Sequence, residues 1–268
     1  MTQNPETPLG DIIRKAEAGG ARIGLVLSRD GTVLFGHRAQ ERFLSASVVK
    51  IAIMVEIYRA ADAGRLRLEA PVTVTAPMMA KGSGVMNRLV PGYTVQVQDL
   101  LYLMMAISDN TATNLLIERA GMAAVNATMA DLGMAGSNLG RPMLGRPATA
   151  DEIENIAVPM DYDRLMQAIL DGRAASQGAC AAMLDLLRAQ QNERRLARHL
   201  PAGADWGSKT GTLDGVVNDA GFLRTADGTA CLSMFTQDFA RMVDAEEVLG
   251  DMAQAAFRLA GLLDGGSR

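Results

Sequence analysis

A serine and a lysine stand three residues apart in a strongly apolar stretch of this chain. Ser47 and Lys50 lie in LSASVVKIAIMVEIYRAADAG, and Lys50 is one of only four lysines in 268 residues. Serine is a weak nucleophile unless a base takes its proton, and lysine can be that base when burial and nearby positive charge lower its pKa. A helix brings residues i and i+3 onto one face. The pair therefore predicts an active-serine site.

The histidines and cysteines give no competing chemistry. His37 ends a predicted strand and His199 follows the arginine-rich stretch NERRLARH, so both are interpreted as surface residues. The cysteines show no metal-ligand spacing, and neither a metal nor another cofactor is predicted. Cys180 and Cys231 are interpreted as buried small hydrophobic residues, and a disulfide between them stays open at this stage.

Two further triplets raise the specificity of the signal. Ser108-Asp109-Asn110 lies 61 residues after Ser47, at a predicted helix-to-helix junction, and Lys209-Thr210-Gly211 lies 101 residues further on, in a predicted strand. With ten serines and four lysines, a chance Ser-x-x-Lys match is not rare. All three motifs in this order form the set known from class A β-lactamases and penicillin-binding proteins.

The chain resembles a class A β-lactamase-type serine hydrolase over roughly residues 22–236. Besides the motifs, the resemblance includes GSGVMNRLVPGYTVQVQDLLYLMMAISDNTATNLLIERAG and KTGTLDGVVNDAGFL. It implies an antiparallel sheet packed by terminal helices beside a helical lobe, with the active site between them.

The resemblance assigns catalytic roles to the first two motifs. Ser47 would be the acylated nucleophile, and Lys50 its general base or part of its proton relay. Ser108 would pass a proton to the leaving nitrogen and bridge Lys50 to the lysine of the third motif. Asn110 would bind the amide side chain of the substrate and help to hold Lys50.

The third motif would bind the substrate. Lys209 and Thr210 would meet a carboxylate with an ammonium and a hydroxyl group. Backbone N–H groups of Ser47 and Thr212 would form the oxyanion hole, because a tetrahedral intermediate needs two fixed donors on its oxygen. Gly211 would leave room where substrate lies against the strand.

One family feature is missing from this sequence. Class A β-lactamases carry a Glu-x-x-Leu-Asn stretch whose glutamate activates the deacylating water, whereas this chain reads LGRPMLGRPATADEIENIAVPMDYDRL. Glu152 and Glu154 are the nearest carboxylates and the candidate bases. The alternative for Glu152 is a capping box with Thr149. The sequence thus predicts a complete acylation apparatus with slow deacylation of β-lactams.

Hydrophobic periodicity and turn signals predict the elements around these motifs. Helices are predicted over residues 9–18, 47–63, 97–108, 110–120, 123–132, 159–170, 179–197 and 244–263. A hairpin is predicted around residues 29–31, and three short extended runs follow residue 203. Asp109 is predicted to bond backbone groups at its helix junction, and Asp219 to cap a turn.

This order of elements predicts an α+β fold. An antiparallel sheet of about five strands would form from both chain ends, packed by terminal helices, with an all-helical lobe inserted and the active site between them. Residues 1–40 and 203–268 are predicted to form the sheet lobe and residues 41–202 the helical lobe of one catalytic unit.

The amino-acid composition limits the classes of partner that the protein is expected to bind. Apolar residues make up 49% and charged residues 21%, and the net charge is −4. These values are typical of a soluble globular protein and predict neither a nucleic-acid nor a membrane partner. The resemblance implies a small-molecule substrate, a β-lactam or a small carboxylated ester or amide, and a monomer is expected. No secretory signal is recognisable, so a cytoplasmic location is predicted for the chain as written, and a periplasmic or secreted one if a signal has been removed.

Three functions remain open from the sequence. The leading one is an active-serine hydrolase acting on β-lactams or related small carboxylated esters and amides. The second is an esterase, amidase or D-alanyl-D-alanine peptidase that uses the same serine. The third is a non-enzymatic acyl-binding sensor, which turnover against one-to-one labelling would distinguish from an enzyme.

Overall fold

The structure, a computed structural model, describes residues 7–146 and 148–263. The helices are α1 (Pro8–Ala18), α2 (Lys50–Asp62), α3 (Val97–Ala106), α4 (Asn110–Ala120), α5 (Met122–Asp131), α6 (Pro159–Leu170), α7 (Gln177–Arg188) and α8 (Met242–Leu259). The strands are β1 (Arg22–Arg29), β2 (Thr32–His37), β3 (Phe43–Leu44), β4 (Pro71–Thr73), β5 (Thr94–Gln96), β6 (Ile156–Ala157), β7 (Asp205–Leu213), β8 (Val216–Thr225) and β9 (Gly228–Gln237).

The central sheet joins the two ends of the chain. Its strand order is β2-β1-β9-β8-β7, and every neighbouring pair is antiparallel. The predicted hairpin forms between β1 and β2, and the three extended runs near the C-terminus become β7, β8 and β9. The α+β fold with a five-stranded antiparallel sheet is therefore confirmed.

Helices cover both faces of this sheet. Helices α1 and α8 pack on each other and on one face, where Leu9, Ile13, Leu25 and Phe257 share a buried apolar cluster. Helix α6 packs against β1, β8 and β9. Because both faces are covered, β1 is buried at every position except its two ends, which explains its nearly continuous apolar run. The predicted packing by terminal helices is confirmed.

A second apolar cluster surrounds α2. This helix is buried from Lys50 through Tyr58, and its neighbours are α3, α4, α5 and α7. A helix that is apolar on all sides is stable only inside a protein, and this burial removes the amino group of Lys50 from bulk water. The assignment of residues 41–202 to a separate helical lobe stays a prediction.

Several predicted helices differ at their ends. The helix predicted over residues 244–263 spans Met242–Leu259, and of two others one begins later and one ends earlier than predicted for a structural reason. The helix predicted from residue 47 begins at Lys50, because Ala46–Val49 form a 3-10 turn. The helix predicted over residues 179–197 ends at Arg188. Beyond it, the Gln190 side chain accepts hydrogen bonds from the backbone N–H groups of Gln191 and Asn192, which stabilises a turn. Side-chain capping of this kind competes with helix continuation.

Both cysteines are free and buried, one in α7 and the other in β9. Their interpretation as small buried hydrophobic residues is confirmed, and the disulfide that the sequence left open is absent. Within residues 7–146 and 148–263, no helix has the length and apolar character needed to cross a membrane.

Candidate active site

The nucleophile candidate lies on the 3-10 turn that leads into α2. Ala46 has a φ of 46°, a strained value for a residue with a Cβ. The preceding residue is held by a backbone hydrogen bond, which Ser45 N donates to Asn155 O. Lys50 N donates to Ser47 O across the turn. Side chains at i and i+3 eclipse in a 3-10 helix, so Ser47 and Lys50 still point to one side. No hydrogen bond joins Ser47 Oγ to Lys50 Nζ among the residues that the structure describes.

Lys50 connects the first motif to the second. Its fully buried Nζ donates to Ser108 O at 2.8 Å, and it lies 3.0 Å from both Ser108 Oγ and Asn110 Oδ1. A neutral amine has one lone pair, which can accept the Ser108 hydroxyl proton at this distance. The Lys50 half of the predicted bridge between the two lysines is therefore present in the geometry, whereas no hydrogen bond joins Ser108 to Lys209 among the described residues. The role of Ser108 in proton transfer stays a prediction.

The surroundings of Lys50 favour the neutral amine. Burial, together with the positive charge of Lys209, holds the pKa of Lys50 well below its usual range, while Asp109 opposes the shift. A lysine with a lowered pKa is suited to accept a proton from serine near neutral pH.

Replacing Lys50 by arginine is expected to lower the rate of Ser47 acylation by roughly 10² or more. The guanidinium keeps the charge but does not deprotonate, so it cannot act as a base. Rapid-quench labelling with a penicillin measures this rate, and thermal unfolding shows whether the variant is folded. A folded variant that acylates at the native rate would identify another group as the base.

The second motif turns the chain between α3 and α4. Ser108 has a φ of 59°, and Asp109 is the N-cap residue of α4, accepting from Ala112 N. Asp109 Oδ2 also accepts from the backbone N–H groups of Val85 and Met86, at 2.7 and 2.8 Å. The prediction that Asp109 bonds backbone groups is confirmed. These bonds fix the turn that presents Ser108 and Asn110 to Lys50.

Asn110 has contacts on both sides of its amide. Oδ1 accepts from Lys50, and Nδ2 donates to Lys81 O at 3.0 Å. One Nδ2 hydrogen remains for a substrate oxygen, which fits the predicted binding of a substrate amide. The prediction of Asn110 as a substrate-binding residue is not tested further.

The third motif lies on the free edge of the sheet. Ser208 O accepts a hydrogen bond from Gln190 Nε2, a residue outside the sheet, at 3.4 Å. Since backbone groups alternate along an edge strand, Ser208, Thr210 and Thr212 direct their N–H and C=O groups outward. The Thr212 N–H group therefore faces the cleft that Ser47 lines, as an oxyanion donor must.

Glycine is needed at position 211 for a structural reason that the sequence did not reveal. A Cβ at this position would lie 2.9 Å from Ser45 O and 3.0 Å from Ser47 N. The missing side chain thus lets β7 approach the nucleophile turn. The sequence argument placed the need for glycine on the substrate side, whereas the contact is with the turn of the protein itself.

Lys209 is buried next to the cleft. Its Nζ donates to Thr210 O at 2.9 Å. Burial lowers the pKa of Lys209 to about 7, opposed by the Asp219 carboxylate and assisted by Arg195. Near neutral pH the residue is therefore partly charged in the free protein, and an anionic substrate would favour its charged form.

Binding of a carboxylated substrate is expected to weaken as the pH rises through about 7, because neutral Lys209 cannot pair with a carboxylate. Lys209→Arg keeps its charge, so this alkaline loss is expected to disappear. The second-order rate constant for acylation by a penicillin, measured against pH, reports the groups of the free protein. An aryl ester without a carboxylate is the control, and an unchanged alkaline limb in the arginine variant would contradict the assignment.

A buried ionic network behind β7 was not found from the sequence. Arg195, 2% exposed, donates from Nη1 to the carbonyl oxygens of Gly211 and Asn218 and from Nη2 to Thr212 Oγ1, at 2.7 to 2.9 Å. Its ion pair with Glu246 measures 3.2 Å. The network holds the end of β7 that carries Thr212. The only sequence signal was the arginine-rich stretch, which is typical of a surface.

Asp219 belongs to the same region. It lies within β8, is fully buried, and accepts at 3.1 Å from the N–H of Leu196, which begins the turn 196–199, so the turn that it caps is distant in the sequence. Burial raises its pKa, and its charge opposes the loss of the Lys209 proton. The sequence signal that could have indicated this buried carboxylate was an acidic residue within the predicted strand run VNDAGF.

Both candidate deacylation bases are engaged in ion pairs. Glu154 accepts two hydrogen bonds from Arg141, at 2.9 and 3.1 Å, and others from Ala148 N and Asn155 N. Burial by itself would raise the pKa of Glu154, but its hydrogen bonds, above all those from Arg141, lower the pKa below its usual value. Four donors occupy the lone pairs that a base would use, so the geometry favours a structural role.

Glu152 is held in a similar way. Arg146 donates to both of its carboxylate oxygens, at 2.7 and 2.8 Å, and Thr149 N donates at 2.9 Å. These bonds lower the pKa of Glu152 to about 2, so it is a weak base. The predicted contact with Thr149 forms, but the residues after it make a turn and then β6 rather than a helix.

The cleft has two parts that meet at Ser47. One part, of about 570 Å³, is lined by Ser108, Thr210, Thr212 and the segment 190–194. The other, of about 270 Å³, lies against the loop 141–146 and includes Asn110. The three motifs thus converge on one cleft, although they are far apart in the sequence.

The histidines lie outside this cleft. His37 contacts Glu17 and His199 contacts Asp251, at 3.1 and 3.0 Å, and both are partly exposed. Among residues 7–146 and 148–263, no three His, Cys, Asp or Glu side chains are grouped so as to hold a metal ion. The arrangement can therefore supply a serine nucleophile, an amine base and fixed hydrogen-bond donors.

Comparison with known proteins agrees with this geometry. The family model of the β-lactamase enzyme family matches residues 5–260. A β-lactamase from Sphaerobacter thermophilus has a crystal structure that is 46% identical, with a TM-score of 0.93, and the match covers 97% of this chain and 98% of that one.

Two more distant relatives are also similar. A mutant of PBP-A, solved as an acyl-enzyme complex with penicillin G, is 25% identical with a TM-score of 0.86, over 96% of this chain and 97% of that one. A β-lactamase of Rhodobacter capsulatus is 30% identical over 193 residues, which are 70% of this chain and 65% of that protein. The chain therefore spans somewhat less than two thirds of this curated relative.

Proposed function

Because the chain belongs to the β-lactamase enzyme family, we propose that it is an active-serine hydrolase that acylates Ser47 with β-lactams or related small carboxylated esters and amides. The observation that carries the proposal is the convergence of three motifs on one cleft through buried Lys50, which contacts Ser108 and Asn110 at 2.8 to 3.0 Å. The protein acts as a monomer on a small molecule.

Acylation proceeds in two proton transfers. Ser47 Oγ attacks the carbonyl carbon while neutral Lys50, directly or through Ser108, takes the hydroxyl proton. The N–H groups of Ser47 and Thr212 stabilise the oxyanion. Ser108 then returns a proton to the leaving nitrogen as the amide bond breaks. The Lys209 ammonium and the Thr210 hydroxyl hold the substrate carboxylate during both steps.

Deacylation is the slow step for β-lactams. Glu152 and Glu154 are occupied by Arg146 and Arg141, and Met143 and Leu144 line the loop side of the cleft. A water molecule on that side meets no carboxylate with a free lone pair among these residues. Hydrolysis of the ester at Ser47 then depends on Lys50 and Ser108, which also serve acylation.

A second candidate is supported by the leaving-group side of the cleft. That part is larger, about 570 Å³, and its lining includes the polar side chains of Gln191, Asn192 and Glu193. The leaving group of a D-alanyl-D-alanine peptidase is a single D-alanine, which this room and polarity would admit with its carboxylate directed to Lys209 and Thr210.

Intact mass spectrometry over time distinguishes these activities. The protein is mixed separately with penicillin G, an aryl ester and a peptide ending in D-alanyl-D-alanine, and both adduct and product are followed. The proposal expects an adduct with penicillin G and turnover of at least one substrate. An adduct that never turns over on any of the three would favour a sensor, and no adduct or product with any of them would refute the proposal.

A further inference from the structure

Asn218 is a buried amide on the strand next to the third motif. It lies in β8, directly opposite Gly211 of β7, and its side chain is fully buried. It does not line either part of the cleft. Any effect of Asn218 on the reaction must therefore pass through the groups that its amide holds.

The amide connects three segments of the chain. Its Nδ2 donates to Leu44 O at 2.8 Å and to Ser45 O at 3.2 Å, and its Oδ1 accepts from Thr236 N at 2.9 Å. These partners fix the orientation of the amide, because the two carbonyl groups need a donor and the N–H group needs an acceptor. Both hydrogens of Nδ2 are used within the protein, so the side chain is fully engaged.

One of these acceptors belongs to the turn that carries the nucleophile. Ser45 O also accepts from Val48 N at 3.1 Å, which closes the 3-10 turn around Ser47. Ala46, with its φ of 46°, keeps this strained conformation only because contacts outside the turn hold it. The bond from Asn218 is one of those contacts.

The turn lies against β7 at the same place. Directly opposite residues of antiparallel strands point to the same face, so the Asn218 amide and the vacant side of Gly211 both meet Ser45 O. A Cβ on Gly211 would also lie 3.0 Å from Ser47 N. The next residue of β7, Thr212, carries the other donor of the proposed oxyanion hole. The position of the turn on the sheet therefore sets the distance between the two donors.

We propose that Asn218 is a positioning residue, which holds the nucleophile turn against β7 so that the N–H groups of Ser47 and Thr212 converge on one oxyanion. The inference rests on the proposed acylation of Ser47. Because donors stabilise an oxyanion only at about 2.7–3.1 Å, a small displacement of the turn lowers the rate without removing a catalytic group. Arg195 strengthens the arrangement, since its Nη1 donates to the carbonyl oxygens of both Gly211 and Asn218.

Asn218→Ala removes both side-chain bonds to the segment before Ser47. Acylation by a p-nitrophenyl ester, measured by the release of p-nitrophenolate, is expected to fall by roughly 10- to 100-fold, less than for complete loss of an oxyanion donor. Asn218→Ser leaves room for a water molecule between its hydroxyl and the two carbonyl oxygens, so it is made alongside as the milder change. Thermal unfolding shows which variants are folded.

A thionoester distinguishes displaced oxyanion donors from a general loss of rigidity. Sulfur is larger than oxygen and a weaker acceptor, so well-placed donors favour the oxygen ester over its thiono analogue by a factor on the order of 10². In Asn218→Ala this ratio of acylation rates is expected to fall about tenfold. Lys50 serves both esters as the base, so any change in its basicity cancels from the ratio.

Thr236→Val is the matched control. The buried Thr236 hydroxyl donates to Val217 O, so this variant loses a buried hydrogen bond between β8 and β9 that does not involve the nucleophile turn. It is expected to lower the melting temperature and to leave the ester ratio unchanged. A ratio that Asn218→Ala does not lower, or that Thr236→Val lowers equally, would overturn the proposal.

Hydrogen exchange separates this inference from the catalytic proposal, because it needs no acylation. The Val48 N–H group, which bonds to Ser45 O, is expected to exchange roughly fivefold faster in Asn218→Ala, as for the loss of one hydrogen bond, and not in Thr236→Val. Absence of any acylation of the native protein, by the esters or by penicillin G, would refute the proposed function. Faster exchange at Val48 would still support the hold of Asn218 on the turn, and unchanged exchange would overturn it.

Discussion

Ser47→Ala is expected to lose all covalent labelling by penicillins and activated esters, because Ser47 lies where the two parts of the cleft meet, while Ser108 is assigned to proton transfer. The serine and its base act as one unit, so loss of either removes most of the catalytic rate. In other serine hydrolases such a loss lowers kcat by a factor of about 10⁶. Intact mass spectrometry after long incubation measures the residual adduct.

Ser83→Ala is the matched control for this variant. Ser83 lines both parts of the cleft, but its known contact is a backbone one, the acceptance of a hydrogen bond from Asn110 N. Its replacement by alanine should therefore leave labelling in place. An adduct of unchanged yield on Ser47→Ala would show that the nucleophile has been assigned wrongly.

A penicillin is expected to give a burst of about one equivalent of β-lactam ring opening, followed by slow turnover with the adduct on Ser47. Without a carboxylate base, hydrolysis of the acyl-enzyme should be slower by roughly 10²–10⁴, about 3–5 kcal/mol of barrier. Acylation should suffer less, since Lys50 and Ser108 are in contact for that step. Stopped-flow absorbance of the β-lactam ring records both phases.

Glu152→Gln and Glu154→Gln test whether either glutamate is a hidden base. Both side chains are occupied by arginine and backbone donors, so the slow phase should change little. Glu154→Gln leaves buried Arg141 with only its 3.6 Å ion pair to Glu152, so the melting temperature of this variant should be measured alongside. Asp151→Asn, an exposed neighbour on the loop, is the control.

Two outcomes would contradict slow deacylation. Fast steady turnover without a burst would show that water is activated efficiently in this cleft. A glutamine variant that trapped the adduct would identify its glutamate as the base, and the ion pair with Arg141 or Arg146 would then have to open during the reaction.

The chemistry of the site was readable from the sequence. The motifs Ser-x-x-Lys, Ser-Asp-Asn and Lys-Thr-Gly identify the side chains that carry the reaction by residue type and by spacing within each motif. That spacing is a property of the sequence and is unchanged by folding. Helices α4 and α6 begin and end where the sequence predicts, since apolar periodicity and caps are local signals. The alternation of strands and helices likewise predicted a sheet built from both chain ends.

Only the tertiary structure decided how charge is distributed around that chemistry. The sequence could not show that Arg195 is buried behind β7, that Asp219 is buried beside Lys209, or that Glu154 is closed off by Arg141. Burial and ion pairing depend on which distant segments pack together. No local sequence pattern encodes these pairings. A charged residue that will be buried in an ion pair occupies the same kind of sequence position as one that will be exposed to solvent.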